Sequence, residues 1–163
     1  MTALWMPAYV AIGSNLDEPA LQVQQAFESL ARLDRSLLVV RSRLYRSAPL
    51  GPQDQPEFVN AAAGLLTQLT PRELLTELKQ LEGALGKQTP VVRWGPRRID
   101  LDLLIYGAEC VDDADLKVPH PGVPARNFVL YPLLDIAPDL VVPGQGRVKD
   151  LAVRVGRTGL TPL

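Results

Sequence analysis

The sequence predicts an α+β fold in which strands and helices follow the order β-α-β-β-α-β. Three observations carry that expectation. Short apolar runs at residues 8–12, 38–45, 58–66 and 99–106 have the length and composition of strands. Between them lie two segments whose apolar residues recur at helical spacing: Ala20, Val23, Phe27 and Leu30, then Leu74, Leu78, Leu81 and Leu85. No internal repeat, low-complexity tract or linker divides the 163 residues, a length that suits one domain with a proper core.

Taken in order, residues 8–12 (Ala-Tyr-Val-Ala-Ile) form a short buried strand, and Gly13-Ser14-Asn15 ends it. Asp17 is the expected N-cap of the first helix, with Pro19 in the first turn. The second strand, 38–45, should turn Leu38, Val40 and Leu44 to one face and Arg41 and Arg43 to the other. Residues 46–56 hold three prolines and a glycine and read as a long loop, a feature that in compact domains is often functional. After the third strand, 58–66, Thr70-Pro71-Arg72-Glu73 spells a capping box with proline at the first helical position. Gly86 is the expected stop, a second long loop covers 87–98, and 99–106 is the fourth strand. This order is the split ferredoxin-like arrangement, an antiparallel sheet with helices. The last third adds a proline-rich loop, a short helix at 127–131 and a helical segment at 148–155, a C-terminal extension within a single domain spanning 1–163.

Composition excludes several classes of function. A net charge of −1 argues against a general nucleic-acid binder. No apolar run approaches the roughly 20 residues a membrane span needs, and the apolar start, residues 1–7, lacks the basic region of a signal peptide. With Cys110 the single cysteine, no internal disulfide forms, which points to a reducing, cytoplasmic compartment. One histidine excludes a zinc site built from several. Charge is unevenly placed, however. Residues 83–99 contain no acid and four bases, Lys87, Arg93, Arg97 and Arg98, and Asp100 and Asp102 follow at once. Cations beside two carboxylates suit a polyphosphate and a metal, and equally suit a solvated loop that pairs with its own acids.

In the fourth strand Ile99, Leu101, Leu103 and Ile105 should face a core while Asp100 and Asp102 share the opposite face. Their Cα atoms would stand about 6.5 Å apart, a separation that lets two carboxylates hold a pair of Mg²⁺ ions. A strand with an ordinary polar outer face has the same spacing. The basic loop just before it, and the poor strand propensity of aspartate, favour the metal reading. No P-loop and no Gly-x-Gly-x-x-Gly occurs, so a nucleotide would be held by arginines, metal and loop backbone. A ferredoxin-like module for single-stranded RNA is the alternative from another class, and the two carboxylates oppose it because they repel phosphate.

The run Arg93-Trp94-Gly95-Pro96-Arg97-Arg98-Ile99-Asp100-Leu101-Asp102-Leu103-Leu104 resembles the signature of the 6-hydroxymethyl-7,8-dihydropterin pyrophosphokinases. Three further stretches agree, in the family's order: Gly13-Ser14-Asn15-Leu16; Pro49-Leu50-Gly51-Pro52-Gln53-Asp54-Gln55-Pro56 with Phe58 and Asn60; and Val118-Pro119-His120 with Arg126 and Phe128. The resemblance implies transfer of diphosphate from ATP to 6-hydroxymethyl-7,8-dihydropterin, giving AMP and the pterin diphosphate in folate biosynthesis. It also implies two Mg²⁺, an αβα fold and a monomer. By matched position Asp100 and Asp102 would hold both metals. Arg93, Arg97, His120 and Arg126 would meet the ATP phosphates, with Glu82 and Leu103 near the nucleotide. The pterin would lie against Leu50, Phe58 and Phe128, with Asn60 bonding its edge and Ser47 and Ala48 offering backbone groups. Trp94 would close over the site, and Arg97 and Lys87 would add charge at the transferring group. Lys87 stands where relatives commonly carry arginine, Thr89 and Pro90 replace basic positions, and Pro121 and Phe58 stand where some members have tyrosine.

Overall fold

The computed structural model describes residues 4–48, 55–86 and 98–163. An antiparallel sheet is centred on β1 (Met6–Ser14), with β4 (Phe58–Thr67) on one side and β5 (Asp100–Tyr106) on the other. Two short strands, β2 (Ser36–Arg41) and β3 (Tyr45–Ser47), share the far edge of β4, and β10 (Leu160–Pro162) pairs with β3. The order β5-β1-β4-β3 is that of the βαββαβ frame.

Both faces of the sheet are covered, which is why β4 reads as an almost unbroken apolar run. Beneath one face, α1 (Pro19–Ala31) and α2 (Pro71–Ala84) bury Phe27, Leu30, Leu74 and Leu78 against Ala8, Val10, Ile12, Leu101 and Leu103. Over the other, α3 (Asn127–Ile136) and α4 (Val148–Val155) bury Leu130, Leu133 and Leu151 against Ala62, Leu104 and Ile105. The result is three layers, αβα. The expected capping box is present: the Thr70 hydroxyl accepts from Glu73 N–H at 3.1 Å, and the Glu73 carboxylate accepts from Thr70 N–H at 2.9 Å. Past α2, Gly86 takes φ +99, the left-handed geometry expected of the stop.

Several expectations are corrected. The second strand is two pieces. Ser42 supplies the break, because its Oγ accepts from Ala62 N–H at 2.8 Å where a regular ladder would use a carbonyl. A register shift between Leu38 and Val40 then turns Val40 outward instead of leaving it beside Leu38. A second shift, opposite Tyr9 and Val10, sends Ile105 to the α3 face and away from Leu101 and Leu103. Glu18, in left-handed geometry and without a side-chain cap, precedes α1 where Asp17 was expected; Asp17 instead accepts from Arg98 at 2.8 Å. Ala20 is exposed, and Glu82 is more deeply buried on α2 than Leu81 or Leu85. The third helix runs on to Ile136 with Pro132 inside it, and both Pro132 and Leu133 are buried against the sheet layer. Two small hairpins also lie outside the expected frame: β6 (Val111–Asp112) with β7 (Lys117–Val118), and β8 (Val141–Val142) with β9 (Gly146–Arg147).

Candidate active site

β1, β4 and β5 together lay the floor of a cleft of about 180 Å³. Residues directly opposed on antiparallel strands share a face. Gly13 stands opposite Asp100 on one side and Asn60 on the other, and Ala11 stands opposite Asp102 and Ala62. Two rows therefore cross the sheet, Asp100-Gly13-Asn60 and Asp102-Ala11-Ala62. The central strand contributes nothing larger than a methyl group to either row, and this leaves the cleft open between the carboxylates and the amide. A methyl added to Gly13 would lie 3.2 Å from Asn60 Oδ1 and 4.0 Å from Phe58 Cδ1.

One wall is the sheet edge. Phe58 opens β4, Ser47 closes β3 beside it, and Ala48 follows. Buried Asn60 donates from Nδ2 to Ser47 Oγ at 2.6 Å, so its amide is held in one orientation. Buried Asn15 donates to Gln55 Oε1 at 2.9 Å and to the Pro56 carbonyl at 3.0 Å, tying the end of β1 to the segment that enters Phe58.

The other wall comes from the α3 layer, Arg126, Phe128 and Val129, and His120 and Leu104 complete the lining. His120 N–H donates to the Leu104 carbonyl at 2.8 Å. Its Nδ1 accepts from Gly122 N–H at 2.9 Å, which leaves the ring proton of the neutral form on Nε2. Burial first, and the nearby Arg126 charge second, hold the His120 pKa below its usual 6.5. The Arg126 guanidinium lies against Gly122, where a methyl would come within 2.7 Å of Cζ, and stacks 5.9 Å from the Phe128 ring centroid. The elements that carry the two walls are tied to each other: Tyr45 of β3 donates to Asp135 of α3 at 2.8 Å, and Arg43 pairs with the same carboxylate at 3.1 Å.

Of the residues singled out from sequence, Ser47, Ala48, Phe58, Asn60, Asp100, Asp102, His120, Arg126 and Phe128 line this one cleft. Two lie elsewhere. Leu103 is in the core under the helices. Glu82 is buried beside the outer edge of β5, where its carboxylate accepts from Leu101 N–H at 2.8 Å, between the two aspartates in sequence. Leu50, Lys87, Arg93, Trp94 and Arg97 fall outside the described residues. Ala11, Ile12, Gly13, Leu104 and Val129 also line the cleft and were not singled out as site residues. The clue to Ala11 and Gly13 is two small residues at alternate positions of a central strand, which opens space only once its neighbours' register is known.

Asp100 and Asp102 offer oxygen donors on one open face, with His120 and Arg126 across from them. That donor set fits Mg²⁺, which prefers carboxylate and phosphate oxygens and keeps several waters. Among the described residues no group of three or more His, Cys, Asp or Glu could form a closed metal cage.

Residues 9–138 match the family model for 7,8-dihydro-6-hydroxymethylpterin-pyrophosphokinase. A 2-amino-4-hydroxy-6-hydroxymethyldihydropteridine pyrophosphokinase of Pseudomonas aeruginosa is 50% identical over 143 residues, 88% of each chain. Its namesake from Haemophilus influenzae is 44% identical over 144 residues, covering 88% of this chain and 89% of that one. A crystal structure of Plasmodium falciparum HPPK-DHPS with pteroate shares the fold at TM-score 0.74 and 13% identity, covering 94% of this chain. This chain spans 43% of that longer protein. The family match takes in the whole cleft, and on that ground the chain belongs to the 7,8-dihydro-6-hydroxymethylpterin pyrophosphokinases.

Proposed function

We propose that the cleft binds 6-hydroxymethyl-7,8-dihydropterin beside the polyphosphate of ATP and transfers diphosphate to it, giving AMP and the pterin diphosphate for folate biosynthesis. The observation that carries this reading is the pair of rows on the floor, which sets two carboxylates across one intervening strand from a buried, oriented amide, in a cleft also lined by two aromatic rings. The flat pterin lies between Phe58 and Phe128, with Asn60 and the backbone around Ser47 and Ala48 reading its edge. The ATP phosphates run toward Asp100, Asp102, His120 and Arg126, and the basic segment supplies Lys87, Arg93 and Arg97, with Trp94 and Leu50 covering the substrates. Glu82 and Leu103 lie near the nucleotide, and Glu82 also holds the aspartate-bearing strand through Leu101 N–H.

Reaction requires the pterin hydroxymethyl oxygen to approach the β-phosphorus in line with the departing AMP oxygen. Such a step needs positioning and charge neutralisation more than covalent help from the protein. Two Mg²⁺ held by Asp100 and Asp102 would spread the charge on the phosphates. Arg97, Lys87 and Arg126 hold fixed positive charge around the transferring group, where it acts most strongly out of bulk water. His120 Nε2 donates to a phosphate oxygen. The substrates are small molecules, with neither nucleic acid nor membrane involved, and the enzyme works as a cytoplasmic monomer. Among the described residues no helix is long and apolar enough to cross a membrane.

The test is an assay for AMP with and without the pterin alcohol, on wild type, Asp100→Ala and Asp102→Ala. Pterin-dependent AMP from wild type and none from either folded variant is the expected result. Release of pyrophosphate in place of AMP, or near-wild-type turnover by either variant at saturating Mg²⁺, overturns the reading.

A further inference from the structure

We propose that the segment after α4, residues 156–163, is a strap that sets the distance between the two walls of the cleft and thereby tunes affinity for the pterin; this rests on the reading that the cleft takes the pterin. The walls belong to different layers, one to the sheet edge and one to α3. They are joined by Tyr45, Arg43 and Asp135. The strap makes a second join. Asn127 donates from Nδ2 to the Thr158 carbonyl at 2.9 Å, and its chain neighbours Arg126 and Phe128 both line the cleft. Two residues further on, Leu160 is buried and pairs with Ser47, the residue that orients Asn60. The ladder continues to Leu163, whose N–H donates to the Leu44 carbonyl at 2.9 Å. Arg157 adds a contact to the same helix, 5.6 Å over the Tyr131 ring.

Local chemistry explains how the segment reaches both walls. Gly156 and Gly159 take φ +80 and +77, so the chain turns out of α4 and again into β10 where a side chain would strain the backbone. Pro162 is tolerated because β10 is an edge strand. β3 has only three residues and pairs with β4 along one side, so a partner on its other side limits the opening expected of so short a strand. The strap lies beyond residues 9–138, the portion that matches the family model.

Two single substitutions separate a positioning role from general stabilisation. Asn127→Ala removes the tie to Thr158. Gly159→Ala removes no contact and would meet nothing within 4 Å, and acts only by straining the turn. The readouts are the affinity for 6-hydroxymethylpterin, measured with Mg²⁺ and α,β-methylene-ATP present, the affinity for the ATP analogue alone, kcat at saturating pterin, and Tm. Both variants should weaken pterin binding by about three- to tenfold, the worth of roughly one hydrogen bond, with kcat and nucleotide affinity nearly unchanged. Asn127→Gln, which keeps an amide donor, should recover part of the loss. Asn60→Ala serves as the control. If it leaves pterin binding intact, the reading of the cleft is wrong. If it weakens binding while both strap variants bind as wild type, or lose Tm and kcat without moving pterin affinity, the strap is structural only. Should Asn127→Ala fail to fold, Gly159→Ala decides.

Discussion

His120 is the chain's single histidine, so its ring protons give an unambiguous NMR titration. Burial, then the charge of Arg126, depresses its pKa in the free protein, and a phosphate brought to Nε2 favours the charged form. The expected titration lies below 6.5 without ligand and moves upward when Mg²⁺ and an ATP analogue are added. An unmoved curve would mean that the phosphates bypass His120. The sign for stability follows from the same shift. The unfolded chain takes up this proton first, so His120 contributes a loss of stability as pH falls from 6.5 toward the lowered value. Gly13 permits a second residue-scale test. A methyl there would lie 3.2 Å from Asn60 Oδ1, at the centre of the floor. Gly13→Ala should keep the fold, since Gly13 does not need a left-handed φ, and should raise the pterin KM by about tenfold or more through overpacking. A pterin KM equal to that of wild type would place the ring elsewhere.

At the scale of elements, legibility tracked local chemistry. The start of α2 was readable because Thr70, Pro71 and Glu73 satisfy its first N–H groups within a few residues. Thr70→Ala should therefore lower stability by about 1 kcal/mol, seen as a lower Tm with unchanged activity per folded molecule. A loss of pterin or ATP affinity in that variant would show that α2 does more than support β5. The second strand was not readable. Its break depends on Ser42 Oγ meeting Ala62 N–H twenty residues away, and its outward turn depends on a bulge against β4. Neither has a signature in residues 38–45 alone. Asp17 misled for a similar reason: its sequence position suits a cap, but an arginine 81 residues later takes its carboxylate.

For the whole molecule, the two faces of the sheet carry different burdens. One buries the large core under α1 and α2, and the other divides its area between a smaller core and the cleft. Ligand bound in that cleft joins the α3 layer to the sheet, so Mg²⁺ with ATP should raise Tm, by mass action on the folded state, while a single-stranded oligonucleotide should not. The reverse ranking in a thermal-shift titration would favour an RNA-binding role for the same face.

The sequence by itself determined the βαββαβ order, the capping box of α2, the span of α4 and the shared face of Asp100 and Asp102, because each rests on periodicity or on neighbours a few residues apart. Its motifs also named most of the residues that line the cleft. Only tertiary structure decided that Gly13 and Ala11 keep the floor open, that Glu82 bonds the backbone of β5, and that residues 156–163 return to pair with β3. These features depend on strand register and on contacts between distant segments. A one-residue shift in a ladder exchanges the two faces of a strand, and nothing in the strand's own composition records which partner sets that shift.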